Sequence, residues 1–228
     1  MNSRGHHRPV RSFVRREGRM TPAQRRALEA LWPRYGVEPP ARPLDPAAVF
    51  GRHAPLALEI GFGDGAVLAA MAAARPDWDF LGVEVHRPGV GRLLARLERE
   101  GLQNVRVACA DAVEVLRDWL PDGALAAVYI FFPDPWPKKR HRKRRLVQPA
   151  FGGLLVRKLA PGARLHLATD WEDYAAHMRA VLEATAGLRN LAGAGAWAER
   201  PAERPPTKYE TRGRRLGHRV FDLAYVRT

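Results

Sequence analysis

The sequence predicts an α/β domain built on a mostly parallel, seven-stranded sheet with helices on both faces. Three observations carry that expectation. Short apolar runs alternate with stretches of helical periodicity, which is the pattern of a parallel sheet crossed by helices. The first run leads through a glycine turn into a helix, Glu59-Ile60-Gly61-Phe62-Gly63-Asp64-Gly65 followed by Ala66-Val67-Leu68. The run at 126–132, Ala-Ala-Val-Tyr-Ile-Phe-Phe, has the length and aromatic content of a central strand buried on both faces. With 228 residues and 46% hydrophobic content, the chain has room for one sizeable domain and an extension.

Taken in order, residues 1–19 carry Arg4, His6, His7, Arg8, Arg11, Arg15, Arg16 and Arg19 with little apolar content, and read as a loose arm able to touch a polyanion. Thr21 then opens a helix as N-cap, with Pro22 at the first helical position and Gln24 completing a capping box. Its end is expected near Trp32-Pro33. A proline-rich connector leads to the main domain, so 1–49 read as a basic, partly disordered extension with one helix and 50–228 as the catalytic domain. Strands are expected at 56–60, 79–85, 105–109, 125–132, 164–169, 188–197 and 219–227. Helices are expected from 66, at 88–100 with Gly101 as stop, at 113–120, at 146–159 and at 171–186. The segment 199–218, rich in Pro, Arg and Gly, reads as a long loop, disordered or functional.

The formal net charge of +14 points to RNA, DNA or an anionic membrane. No apolar run approaches the roughly 20 residues of a spanning helix, and the N-terminus lacks a signal-peptide core, so a cytoplasmic protein without membrane attachment is expected. The single cysteine, Cys109, excludes an internal disulfide and a cysteine-built zinc site, and no metal site is expected.

Four acids fall at the ends of the first four strands: Glu59, Glu84, Asp111 and Asp134. In an open α/β sheet those ends share one crevice. Gly61-x-Gly63-x-x-Ala66 with Glu84 about 20 residues on also satisfies a dinucleotide fingerprint, which keeps a nicotinamide enzyme open. An acid just before the glycines suits a ligand with a cationic amino-acid end, and Asp111 suits an adenine amino group; both features favour S-adenosylmethionine. Glu84 accepting ribose hydroxyls fits either ligand. After the fourth strand, Pro133, Pro135 and Pro137 hold Asp134 and Trp136 on a stiff loop. Lys138, Lys139, Arg140, His141, Arg142, Lys143, Arg144 and Arg145 follow, a density suited to neutralising phosphates. The fifth strand delivers Asp170 and Trp171 to the same edge.

With these residues in place, the chain resembles the tRNA (guanine-N7)-methyltransferases of the bacterial single-subunit type. The resemblance is carried by LEIGFGDG at 58–65, GVEVH at 82–86, PDPWPKKRHRKRR from Pro133, TDWEDY from Thr169 and TKYE at 207–210. It implies a Rossmann-like class I methyltransferase fold and methyl transfer from S-adenosylmethionine to N7 of a guanine in the tRNA variable loop, position 46. It further implies that Glu59, Gly61, Gly63, Glu84, Asp111 and Asp134 line the cofactor site; because methyl transfer leaves the base cationic, a fixed carboxylate beside it favours the transition state, and Asp134 is expected to be that catalytic residue. Lys138, Asp170, Thr207, Lys208, Tyr209 and Glu210 would contact the substrate, and Arg140, His141, Arg142, Lys143, Arg144 and Arg145 would meet RNA. The partner is then tRNA, with no obligate protein subunit, and the state a monomer or homodimer. An amino-group methyltransferase would continue its Asp-Pro turn with Pro and an aromatic, where Trp136 and Pro137 stand here; a catalytically silent RNA binder would leave the strand-end acids unexplained.

Overall fold

The computed structural model describes residues 11–13, 18–201 and 204–228. Most of the basic arm, including Arg4, Arg8, Arg15 and Arg16, lies outside the described residues, as does its expected disorder. The seven strands described are β1 (Leu56–Ile60), β2 (Asp79–Val83), β3 (Val105–Ala108), β4 (Leu125–Phe131), β5 (Leu159–Thr169), β6 (Leu188–Asn190) and β7 (Phe221–Arg227). They form one sheet in the order β3-β2-β1-β4-β5-β7-β6. Strands β1 to β5 pair in parallel, and β7 runs antiparallel to both β5 and β6.

The helices are α1 (Pro22–Tyr35), α2 (Pro46–Phe50), α3 (Ala66–Ala74), α4 (Arg87–Glu100), the short α5 (Ala112–Glu114) widening into a turn over Val115–Trp119, α6 (Pro149–Lys158), α7 (Glu172–Glu183) and α8 (Lys208–Arg215). Alternation along β1 sends neighbouring side chains to opposite faces. Leu58, with Leu81, Val128 and Leu165, packs against Phe151 and Leu155 of α6 and Met178 of α7. Ala57, with Phe80 and Ala127, packs against Leu68 of α3, Leu94 of α4 and Leu28 of α1. The expected helical stripe Val90, Leu93, Leu94 and Leu97 on α4 is fully buried there.

The capping box at Thr21 forms: Thr21 Oγ1 accepts from the Gln24 N–H at 3.2 Å and Gln24 Oε1 from the Thr21 N–H at 2.8 Å. The expected stop at Pro33 does not occur, because Pro33 lies inside α1. A proline one turn from a helix end forfeits a single backbone bond, and the burial of Tyr35 beyond it holds the last turn. The Val37 N–H then donates to the Val107 carbonyl at 2.9 Å, tying the end of α1 to β3.

Further boundaries differ from expectation, among them the start of β5 at Leu159 rather than at 164. The helix expected over 146–159 begins only at Pro149, since Gln148 precedes a proline and is extended (φ −127°, ψ 163°). The strand expected over 188–197 ends at Asn190, because Gly193 (φ 96°) and Gly195 (φ 72°) turn the chain back. The loop expected over 199–218 contains α8. Among the described residues, no helix is long and apolar enough to cross a membrane.

The order of strands fixes where a ligand can sit. The chain leaves β1 for β2 on one side and reaches β4 on the other, so a crevice opens at the carboxyl ends of β1 and β4, where the winding reverses.

Candidate active site and nucleic-acid interface

A crevice of about 860 Å³ lies at that edge, within the size range of small-molecule sites. The glycine turn after β1 supplies its floor. Gly61 (φ 74°) and Gly63 (φ 62°) adopt a left-handed backbone with no other atom within 4 Å of where a side chain would begin. Conformation alone therefore demands glycine, and the bare backbone is left open to a ligand. Glu84, at the end of β2, steadies the turn: its Oε2 accepts from the Gly63 N–H at 2.9 Å, and its Oε1 from the N–H groups of Val85 (2.7 Å) and His86 (3.0 Å).

Glu59 sits beneath the turn, 3% exposed, with its Oε2 buried and without a hydrogen-bond partner. Burial, and then the neighbouring Glu84 and Asp64 carboxylates, push its pKa up to about 8. An orphaned buried carboxyl group is a costly feature that a cationic ligand would relieve. Glu59 does not itself line the crevice but adjoins Ile60 and Gly61, which do, and its unpartnered Oε2 fits a ligand with an ammonium end. Asp111 caps α5, its Oδ1 accepting from the Val113 N–H at 2.9 Å, while its neighbours Ala110 and Ala112 line the crevice.

The opposite wall is the proline loop after β4. Asp134 lines the crevice between two residues in left-handed backbone, Phe132 (φ 52°) and Trp136 (φ 45°). Such conformations cost bulky residues about 1–3 kcal/mol each and persist only where their surroundings impose them. Here the Phe132 N–H donates to the Ala168 carbonyl at 2.7 Å. Trp136 Nε1 donates to the Ser12 carbonyl at 2.9 Å, and the Arg144 guanidinium lies 4.1 Å from its ring centroid. Arg144 also donates to the carbonyls of Arg11 and Phe13, so the described part of the N-terminal arm closes on this loop, with Ser12 and Phe13 lining the crevice. Nothing in the residue types of either segment signals that contact.

The basic run is not a uniform surface. Residues Lys139–Arg144 form a 3-10 helix, and Lys139, Arg140 and Lys143 are exposed. Arg142 pairs with Asp173 at 3.1 Å. Arg145, expected to meet RNA, is 3% exposed: it donates to the Pro135 carbonyl at 3.0 Å, pairs with Asp173, and lies 4.8 Å from the Tyr174 ring centroid. It braces the proline loop from behind. His141 meets the Trp136 ring edge-on at 5.9 Å, and desolvation together with the surrounding cations Arg140, Lys138, Arg144 and Lys143 lowers its pKa.

Asp170, at the end of β5, lies across the crevice with its Oδ2 3.5 Å from His218 Nδ1. Above it runs α8. Thr207 caps the helix, its Oγ1 accepting from the Glu210 N–H at 2.9 Å. Lys208 Nζ pairs with Asp64 Oδ2 at 2.5 Å, and Tyr209, 56% exposed, faces Phe132 with ring centroids 6.5 Å apart. Glu210 points the other way: fully buried, it meets Arg204 at 2.7 Å and Arg200 at 3.3 Å, and Arg204 continues to Asp222, which meets His166 at 2.8 Å. The crevice therefore gathers Gly61, Gly63, Glu84, Asp134, Asp170 and Tyr209, while Lys138 stands exposed beside it and Thr207 and Glu210 serve to hold α8. No local sequence signal marks Arg204 or Arg212; the spacing Thr207-x-x-Glu210 is a capping-box signal that marks the start of α8.

The strand order, the reversed β7 and a crevice at the β1/β4 switch define a Rossmann-like class I methyltransferase fold. Solved structures share it at low sequence identity. The aminoglycoside resistance methyltransferase NpmB1 matches 78% of this chain and 90% of its own with a TM-score of 0.54 at 13% identity. The 16S rRNA methyltransferase KamB matches 94% and 97% with a TM-score of 0.55 at 16% identity. Sequence relationships narrow the class. A family described as "Putative methyltransferase" matches residues 53–223. The tRNA (guanine-N(7)-)-methyltransferase of Alcanivorax borkumensis is 59% identical over 218 residues, 96% of this chain and 91% of the relative. That of Methylococcus capsulatus is 60% identical over 221 residues, 97% and 95%. The chain belongs to the tRNA (guanine-N(7)-)-methyltransferase family.

Proposed function

We propose that this protein transfers a methyl group from S-adenosylmethionine to N7 of a guanine at position 46, in the variable loop of tRNA, in the cytoplasm and without an obligate protein partner. The observation that supports this reading best is the setting of Asp134: a carboxylate on a proline-locked loop, facing a bare glycine turn and leading into a cationic helix.

Guanine N7 presents a free acceptor lone pair, so it bonds to the methyl carbon without losing a proton, and no general base is needed. When bound, the cofactor supplies an electrophilic methyl whose bonding electrons leave with sulfur. The methylated base is cationic. Asp134, fixed beside it, favours the transition state over the neutral ground state, and accepts from the guanine N1–H and amino group to hold the base in line. Asp170 shares that task from the other wall. Glu59 receives the ammonium end of the cofactor, Glu84 the ribose hydroxyls and Asp111 the adenine amino group, while Gly61 and Gly63 let the ligand approach the backbone. Lys138, Lys208 and Tyr209 face the substrate, Thr207 and Glu210 keep α8 over it, and Arg140, His141 and Lys143 meet phosphates.

Incubation with labelled S-adenosylmethionine and unmodified tRNA transcript, followed by strand scission at N7-methylguanine, tests the reading. It expects label in tRNA and a single cut in the variable loop. Label without scission would transfer the reading to an amino-group methyltransferase.

A further inference from the structure

The crevice has a second cationic border that neither the strand-end acids nor the basic run accounts for. On α8, Lys208, Arg212 and Arg215 follow one another at i, i+4 and i+7, which places them along one stripe of the helix. Lys208 is clasped to Asp64. Arg212 and Arg215 are exposed and make no side-chain hydrogen bond or ion pair with any described residue, and Arg212 lines the crevice beside Tyr209, Gly213 and Leu216. Like charges spaced in this way destabilise a helix by about 0.2–0.5 kcal/mol per pair. The helix adds no apolar core in return: Tyr209 is 56% exposed, and the buried side chain that anchors α8 is the Glu210 carboxylate on Arg204. An element held by a buried ion pair, with Arg212 and Arg215 turned to solvent, is suited to take its counter-charge from an external polyanion.

The basic run is only partly free to take phosphates. Of the basic run, Arg142 pairs with Asp173, Arg144 is bonded to the arm and Arg145 is buried. We propose that Arg212 and Arg215 form a second phosphate-binding lip, which grips the tRNA backbone on the side of the crevice opposite the 3-10 helix, so that the target nucleotide enters between two cationic rails. This rests on tRNA being the substrate.

The test is the salt dependence of binding of unmodified tRNA transcript to the full-length protein. Arg212→Ala/Arg215→Ala should lower the slope of log K against log[salt] by about 1.4 to 1.8, the loss of two phosphate contacts. Arg212→Lys/Arg215→Lys should keep the slope. Arg157→Ala/Arg189→Ala removes the same charge from exposed residues at the opposite edge of the sheet and should leave the slope unchanged. An unchanged slope in the alanine variant, an equal loss in the Arg157/Arg189 control, or a loss in the lysine variant as well would each overturn the lip. If the wild-type protein shows no salt-dependent tRNA binding, the substrate reading fails and the lip falls with it; steep wild-type binding with an indifferent α8 sinks the lip alone.

Discussion

Lys208 Nζ and Asp64 Oδ2 lie 2.5 Å apart, joining the first turn of α8 to the glycine turn after β1. Burial pushes the Asp64 carboxyl up, but the bond from Lys208 and the Ala66 N–H outweigh it and hold its pKa below the usual carboxylate range. The pair is half-open to solvent, with side chains 55% and 28% exposed, whereas the Arg204–Glu210 pair behind it is 2% and 0% exposed. One helix thus hangs from a buried pivot and is clasped at the edge of the crevice by an exposed contact.

The two contacts should behave differently on removal. Lys208→Ala should cost under about 1 kcal/mol of stability, the usual worth of an exposed pair. Arg204→Met leaves Glu210 and Asp222 buried without their guanidinium and should cost about 3–5 kcal/mol. Denaturant midpoints at constant slope decide between them; equal losses would mean that α8 has no buried pivot.

If Glu59 receives the ligand's ammonium end, binding should be linked to a proton. Its pKa, raised to about 8 by burial and by Glu84 and Asp64, leaves it largely protonated at neutral pH in the folded protein. The folded state then holds a proton that the unfolded chain has released, so this group's contribution to stability falls as pH rises from the ordinary carboxylate range towards 8. Glu59→Gln should flatten that fall. A cationic ligand seated on Glu59 should restore its charge, so S-adenosylmethionine binding near pH 7 should release up to one proton. Calorimetry in buffers of different ionisation enthalpy reads that number directly, and no release in the wild-type protein would remove Glu59 from the ligand's ammonium site.

Arg145 carries a prediction that separates brace from phosphate contact. Its guanidinium, buried against Tyr174 and the Pro135 carbonyl, should on truncation to alanine destabilise the protein by about 1–3 kcal/mol, as the Pro135 carbonyl loses its donor while Asp173, 45% exposed, keeps Arg142. Arg140→Ala/Lys143→Ala should leave the melting temperature within a degree or two while weakening tRNA binding in a salt-dependent way. Reversed outcomes would mean that the run is braced by its exposed members.

Much of the fold was readable because its signals are local. The glycine turn at 61–65, the stripe Val90–Leu93–Leu94–Leu97 and the apolar run ending at Phe132 each declare themselves within a few residues, and the acids at the strand ends come with them. What stayed hidden depends on partners far along the chain. Nothing in KKRHRKRR distinguishes Arg145 from Arg140; the difference is made by Asp173 and Tyr174 on α7. Likewise α8 has no apolar stripe for periodicity to find, and its anchor is a chain of charges from Glu210 through Arg204 to Asp222 on β7. The left-handed backbone of Phe132 and Trp136 is equally invisible in residue type, since nothing about either side chain favours it.

Asp134 is the residue on which the proposed chemistry turns. Asn in its place keeps the shape, the flanking prolines and one acceptor oxygen, but withdraws the negative charge from beside a base that becomes cationic on methylation. Such preorganised electrostatic contacts are worth about 10²–10³ in rate. Asp134→Asn should therefore lower the single-turnover methylation rate about a hundredfold or more, with tRNA and cofactor affinities within about threefold of wild type, because the neutral guanine gains little from the charge. A rate loss matched by an equal loss of tRNA affinity would make Asp134 a binding residue, and near-normal turnover would leave the carboxylate's charge without a catalytic role.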